Sequence, residues 1–273
     1  NHLFCFMKSD NKISVLQHLE EYGYAIQENV IPKQDCDIMT DALDQLMEKK
    51  KDEKIVLSTD EQTVLFNVHL EKPDIFLNKI DIPKVMDIVS KVLKVEFILS
   101  NFNASLSGSK GGNRIHIDSR IPITDFGNTM QIVALLCLDD FTPTNGCTKV
   151  WPGSHKSGTD PRHLKNTDSI PEAVQEFVPK GSVVYTLGQT WHDIGPNIDG
   201  TRRWGIIAYY SRWWIKPTFD FLHCGQKIFS KLNTKQKILF GFTSNPPNNV
   251  KKRFHTLISP SELSDNYDDV LNI

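Results

Sequence analysis

The order in which two kinds of local pattern appear constrains this chain most. Apolar residues at helical spacing fill the first third, and from Val95 onward short β-prone segments separated by turns take over. Ile13, Leu16 and Leu19 recur every three residues up to Tyr22-Gly23; Ile38, Met39, Ala42, Leu43, Leu46 and Met47 follow Pro32; Val85, Met86, Val89, Val92 and Leu93 follow Pro83. Side chains three and four apart share one helix face, and proline is tolerated in a first turn, so each run predicts an amphipathic helix. Tyr24-Ala25-Ile26 predicts a short strand. The later segments 95–106, 114–118, 130–138, 148–151, 182–187 and 203–210 read as strands. Ser107-Gly108-Ser109-Lys110-Gly111-Gly112, Pro143-Thr144-Asn145-Gly146 and Pro179-Lys180-Gly181 punctuate them as turns.

Helices first and many short strands after predict a mainly-β, α+β fold: an antiparallel barrel or jelly roll with an N-terminal helical buttress. The expected partition is a single domain over 1–273, with a helical part at 7–94, a β core at 95–217 and a C-terminal extension at 218–273. Within that extension 226–232 and 235–240 are helix-prone. The pieces around Ile55-Val56-Leu57 and Thr63-Val64-Leu65-Phe66 are β-prone but irregular. The first six residues read as an extension outside the fold, with Met7 as the natural start.

Charge and cysteine usage narrow the function classes. The 31 Lys+Arg nearly balance 33 Asp+Glu, so no global basic field favours nucleic acid. The run Glu48-Lys49-Lys50-Lys51-Asp52-Glu53-Lys54 reads as a solvated helix end, and the acidic tail, 265–269, as solvated too. No apolar run approaches the roughly 20 residues that span a bilayer. Cys5, Cys36, Cys137, Cys147 and Cys224 are odd in number, with no Cys-x-x-Cys pair, and read as reduced thiols of a cytoplasmic protein.

The chemistry concentrates at Arg114-Ile115-His116-Ile117-Asp118-Ser119-Arg120. Residues two apart in a strand point the same way, so His116 and Asp118 arrive side by side. Read blandly, this is a strand-end pair facing water. Read as a site, it is two metal ligands, and a second histidine would complete the 2-His-1-carboxylate set of non-haem Fe(II) oxygenases. Among the other eight histidines, His192 stands out. It follows the strand Val183-Val184-Tyr185 and the turn Gly188-Gln189, where a hairpin returns a side chain to a barrel mouth.

Four pieces in this order carry a family resemblance: His116-x-Asp118, Trp151-Pro152-Gly153-Ser154-His155-Lys156, His192-x-x-Gly195-x-Asn197, and Arg203. Together, from about Tyr22 to Pro217, the chain resembles the phytanoyl-CoA dioxygenase family of Fe(II)/2-oxoglutarate-dependent oxygenases. The resemblance implies a double-stranded β-helix, cupin-like, in which His116, Asp118 and His192 hold Fe(II). It implies that 2-oxoglutarate is bound by the arginine eleven positions after the distal histidine, which is Arg203 and not its neighbour Arg202. Adjacent strand residues face opposite sides, so only one of the two can enter a pocket. An always-charged planar fork suits the distal carboxylate of 2-oxoglutarate better than lysine does. Gln131 resembles a position near the cosubstrate; a polar residue on an exposed strand face is the equal alternative.

The expected reaction is oxidation of a small organic metabolite with O2, most often hydroxylation, coupled to decarboxylation of 2-oxoglutarate to succinate and CO2. Family halogenases carry a small residue where Asp118 stands, so this carboxylate favours hydroxylation or a related desaturation, epoxidation or cyclisation. Alternatives are an inactive family member serving as a binding protein, an oxygenase of a macromolecule, and a metal-dependent isomerase or hydrolase on the same barrel. Trp213 and Trp214 are candidates for a substrate pocket wall, with core packing the simpler reading. Arg120 and Arg114 flank the ligand strand and are candidates to meet an acidic group of the substrate, with surface charge the simpler reading. His155 is expected to bond backbone within a structural turn.

Overall fold

Seven antiparallel strands form the larger sheet, and the alternation of their side chains gives it two unlike faces. The computed structural model describes residues 13–50, 55–112, 114–164, 170–247, 250–252, 254 and 257–271. The expected N-terminal extension with Met7, part of the lysine-rich run at 51–54, Cys5, His2, His255, Asn248 and Asn249 lie outside them. The helical part and first strands are α1 (Val15–Tyr22), β1 (Tyr24–Gln27), α2 (Lys33–Lys50), β2 (Val56–Ser58), β3 (Gln62–Leu65), α3 (Val68–Glu71), α4 (Pro73–Phe76) and α5 (Pro83–Leu93). Next come β4 (Phe97–Ser107), β5 (Gln131–Cys137), β6 (Thr148–Val150), β7 (Val183–Leu187), β8 (His192–Ile194) and β9 (Trp204–Arg212). The chain ends with α6 (Gln226–Phe229), α7 (Thr234–Leu239) and α8 (Tyr267–Leu271).

The larger sheet has the order β1-β7-β5-β9-β4-β3-β2, and β6 pairs with β8 in a second sheet. The two lie face to face as a jelly roll, the double-stranded β-helix expected from the resemblance. On the outer face of the larger sheet Ile132, Ala134, Leu136, Val183, Tyr185, Leu187, Ile206, Ala208 and Tyr210 pack with Leu19, Met39, Leu43, Val89 and Val92 of the helices. The intervening residues Leu135, Cys137 and Val184 turn inward and meet Phe141, Cys147 and Val178. In register Leu135 stands opposite Val184 on one side and Ile207 on the other, so the inner row is continuous across three strands.

Local signals explain the helix ends. Ser14 caps α1 in a reciprocal box with Gln17, and Gly23, at φ 84°, stops it. The C-terminal segment is not a loose tail: Phe229, Phe242, Tyr267 and Val270 are buried in the main core. It also closes over His69, whose ring lies 5.0–5.6 Å from those of Phe102, Phe221 and Phe240. Burial pushes the His69 pKa down to about 3, so this histidine is neutral packing, remote in role from a metal.

One expected strand differs. The segment 114–118 forms no ladder; a single antiparallel bridge joins His116 to His192. Within and just beside it the backbone donates to β8 and the turn before β8 at Gly112, His116 and Ser119, spacings too irregular for continuous pairing. A strand over β8 and the short helices α3 and α4 lay outside the sequence expectation.

Gly181 shows how tightly the helices are fixed to the sheet. Its carbonyl accepts from the amides of Val30 and Ile31, 2.9 Å each, just before α2. At φ +86° a Cβ there would sit 2.4 Å from the Ile31 carbonyl oxygen. Gly181→Ala therefore combines a left-handed backbone with a backbone clash, and is expected to cost roughly 2–3 kcal/mol of stability, read as a lower urea midpoint.

Candidate metal centre

The bridge that replaces the expected strand is what builds the site. His116 and His192 exchange both backbone hydrogen bonds at 3.1 Å, which places their imidazoles on one face with centroids 4.3 Å apart. Asp118, two residues on, shares that face. One nitrogen from each histidine and one Asp118 oxygen all lie within 4.8 Å of one another. The closest approaches are His116 Nε2 to Asp118 Oδ1 at 3.8 Å and His192 Nε2 to Asp118 Oδ2 at 3.4 Å.

Hydrogen bonds select the coordinating tautomer. His116 Nδ1 lies 2.8 Å from the Arg114 carbonyl, and His192 Nδ1 lies 3.0 Å from that of Thr190. A carbonyl only accepts, so each Nδ1 carries the proton and each Nε2 offers a lone pair. Burial, and then the neighbouring His192, pull the His116 pKa below its ordinary value and favour the neutral ligand form. Asp118 Oδ2 is buried without a hydrogen-bond partner, while Oδ1 accepts from Tyr209 at 3.1 Å. Two imidazoles that present Nε2 and a half-free carboxylate fit a divalent transition metal such as Fe(II).

The turn Trp151-Pro152-Gly153-Ser154-His155 supports the distal histidine from behind. Ser154 Oγ accepts from the Trp191 amide at 2.9 Å, next to His192, and the Gly153 amide donates to Tyr22 at the end of α1. His155 Nε2 lies 3.1 Å from the Glu20 carbonyl, the backbone role expected of it.

A cavity of about 470 Å³ opens in front of the two histidines, with Tyr209, the hydrogen-bond partner of Asp118, in its lining. Its floor is the inner face of the larger sheet: Val133, Leu135, Val184, Thr186, Ile207, Tyr209 and Arg203. Arg203 is 2% exposed, its guanidinium lies 4.3 Å over the Phe141 ring, and its Nε is buried without a partner. No carboxylate pairs with it among the described residues, and burial pushes its pKa down to about 10. A buried cation of this kind is costly unless an anion joins it, which is the chemistry of a carboxylate-binding cradle. Arg202 faces the other way, donating to Asp44 at 2.6 Å and to Asp139 at 3.4 Å.

The remaining candidates are placed differently. Gln131 has the strand parity of Val133 and Leu135 but lies beyond the cavity lining, half-buried beside Gly188. Arg120 is exposed past the Ser119 turn and does not line the cavity; Arg114, on the face of His116, does. Trp213 and Trp214 also lie off the cavity, because β9 ends at Arg212. The Arg212 side chain donates to the Thr129 and Gly127 carbonyls and lies 5.5 Å over Trp214. Trp213 packs edge-on against Trp214 at 5.6 Å. Tyr209, Arg162, Glu61, Gln62 and Ser105 line the cavity without having been singled out. Strand parity with Arg203 is the signal that would have found Tyr209.

Tyr209 fixes the free oxygen of Asp118 through the other. Tyr209→Phe removes that hydrogen bond at little cost in volume and is expected to weaken divalent-metal affinity roughly 10-fold. Metal-competition titration against a chromogenic chelator reads this directly, with unchanged thermal unfolding of the metal-free protein as the control.

Comparison with known proteins agrees with this geometry. An uncharacterised protein of Mycobacterium tuberculosis, Rv1501, is 24% identical over 85% of this chain and 87% of its own length. Dioxygenase andF of Emericella variicolor is 29% identical over 42% of this chain and 40% of its own length. Among solved structures, the epimerase SnoN in complex with Fe3+, alpha ketoglutarate and nogalamycin RO matches with a TM-score of 0.61. That match has 16% identity and covers 75% of this chain and 85% of SnoN. HygX from Streptomyces hygroscopicus, with nickel and 2-oxoglutarate bound, has a TM-score of 0.58 and 14% identity, covering 74% and 88%. The model of the phytanoyl-CoA dioxygenase family matches residues 19–204, over half of the sequence and including His116, Asp118, His192 and Arg203, and the chain belongs to that family of Fe(II)/2-oxoglutarate-dependent oxygenases.

Proposed function

We propose that this oxygenase hydroxylates a small organic molecule, with Fe(II) held by His116 Nε2, His192 Nε2 and Asp118 and 2-oxoglutarate held by Arg203. The observation that carries the reading is the meeting of three ligand atoms within 4.8 Å and an unpaired buried arginine in one cavity. When bound, iron and 2-oxoglutarate supply oxidation by O2 with release of succinate and CO2.

The chain's own residues bind, orient and shield. The Arg114 and Thr190 carbonyls keep the two Nδ1 protons in place and the Nε2 lone pairs aimed together. Arg203 takes the distal carboxylate of the cosubstrate in its fork, with its guanidinium plane backed by Phe141. Leu135, Cys137, Phe141, Cys147 and Val184 form a dry wall beside that fork, where a charge-assisted bond is stronger than in water. Retention of Asp118 supports insertion of oxygen over halogenation.

Anaerobic addition of Fe(II) and then 2-oxoglutarate is expected to produce a weak visible charge-transfer band, absent in His192→Ala. Arg203→Lys is expected to raise the 2-oxoglutarate dissociation constant at least about 10-fold while Fe(II) affinity stays within about 2-fold. A wild-type protein that binds neither, or that forms no succinate in air with any substrate pool, overturns the reading in favour of a non-catalytic relative.

A further inference from the structure

The cavity is lined by two arginines besides the one assigned to the cosubstrate. Arg114 and Arg162 both line it, and neither belongs to the strand that carries Arg203. Arg114 shares a face with His116, and its own carbonyl accepts the hydrogen bond from His116 Nδ1, so its backbone is fixed relative to the triad. Among the described residues its guanidinium has no carboxylate partner. Arg162 comes from the short turn Pro161–His163. Its Nε and Nη2 grip Asp160 at 2.6–3.0 Å, and the Arg162 amide donates to the same carboxylate at 3.0 Å.

Asp160 is 8% exposed and is therefore a fixed clamp. It engages one edge of the Arg162 fork and leaves Nη1 without a protein partner among the described residues. The acids that line the same cavity are Glu61, in the connection between β2 and β3, and Asp193. Depth separates the arginines: Arg203 is 2% exposed at the floor, whereas the Arg162 side chain is 52% exposed and Arg114 is exposed. An anion arriving from solvent meets the outer pair first.

We propose that Arg114 and Arg162 form an anion-docking pair for the primary substrate, an organic acid whose carboxylate or phosphate rests on them while its carbon skeleton reaches toward His116, Asp118 and His192. This inference rests on the functional reading above, since the cosubstrate must occupy Arg203 for the outer pair to be free. It accounts for a positioned arginine whose carboxylate partner among the described residues, Asp160, leaves its outer nitrogen unused. Binding an oxyanion adds charge-assisted hydrogen bonds to both guanidiniums without disturbing the Asp160 clamp.

The test loads the protein with Co(II) and 2-oxoglutarate and follows the line widths of inorganic phosphate by phosphorus NMR and of labelled acetate by carbon NMR. Binding beside the paramagnetic ion broadens the line. At least one probe is expected to broaden with the wild type, and Arg114→Gln and Arg162→Lys are each expected to weaken that binding about 10-fold or more. The 2-oxoglutarate affinity is expected to stay within about 2-fold in both variants. The probe that broadens more identifies the acid as a carboxylate or a phosphate. Arg162→Lys is used because Arg162→Gln strands the Asp160 charge and risks the fold. Broadening of neither probe, broadening that survives both substitutions, or a loss of 2-oxoglutarate affinity in Arg114→Gln overturns the proposal while leaving Fe(II) and 2-oxoglutarate binding intact. Failure of Co(II) and 2-oxoglutarate to load at all removes the functional reading, and this inference with it.

Discussion

Two backbone hydrogen bonds, from His116 to His192 and back, hold the site together. A hydrogen-bonded antiparallel pair puts two side chains on the same face at a fixed separation, and that separation is what a shared metal needs. Asp118 joins them because it is two residues further along the same extended segment. The larger sheet contributes through Tyr209, which reaches across from β9 to Asp118. That hydrogen bond connects the two layers at the proposed metal end, while Phe141 backs the Arg203 guanidinium on the side of the larger sheet.

Stability and function occupy opposite faces of one sheet. The outward residues of β5, β7 and β9 are apolar almost throughout and bury against helices from both ends of the sequence. Inward, β4 carries Asn101, Asn103, Ser105 and Ser107, all buried and all polar. Each such group costs free energy unless bonded, and most are served: Asn103 accepts from the Asn67 amide, Ser105 donates to Gln62, and Ser107 donates to the Asn145 carbonyl. Asn101 Oδ1 remains without a partner. A polar, half-satisfied inner face is sustained because the helix-backed outer face supplies the hydrophobic stabilisation.

Much of this was legible in the sequence wherever a residue's role follows from periodicity. The apolar stripes of α1, α2 and α5 and the strands β4, β5, β7 and β9 fall where the periods predict. The choice of Arg203 over Arg202 comes from the spacing after His192 that the resemblance implies; strand parity says only that one of the two turns inward, and here Arg203 lines the cavity while Arg202 bonds Asp44. The same parity runs from Arg203 through Ile207 to Tyr209, yet a tyrosine beside Tyr210 looks like ordinary core. What was not legible depends on chain segments distant in sequence meeting in space. Arg162 and Glu61 reach the cavity from turns, and no local pattern marks a turn residue as inward-facing. Trp213 and Trp214 drew attention by size alone, and the end of β9 carries them off the cavity. The segment 114–118 has strand-like composition, but bonds at three irregularly spaced amides make it a bridge instead.

Asp44 stands on α2, on the far side of the sheet from the cavity, and accepts from both Trp204 Nε1 at 2.7 Å and Arg202 Nη1 at 2.6 Å. Those two residues flank Arg203. A surface helix thus sets the phase of β9: by holding the residues before and after, it decides which of two consecutive arginines turns inward. The register of β9 is thereby pinned independently of the loop that precedes it. A slip of β9 by one residue would present the wrong guanidinium to the cavity and leave Asp44 without its partners.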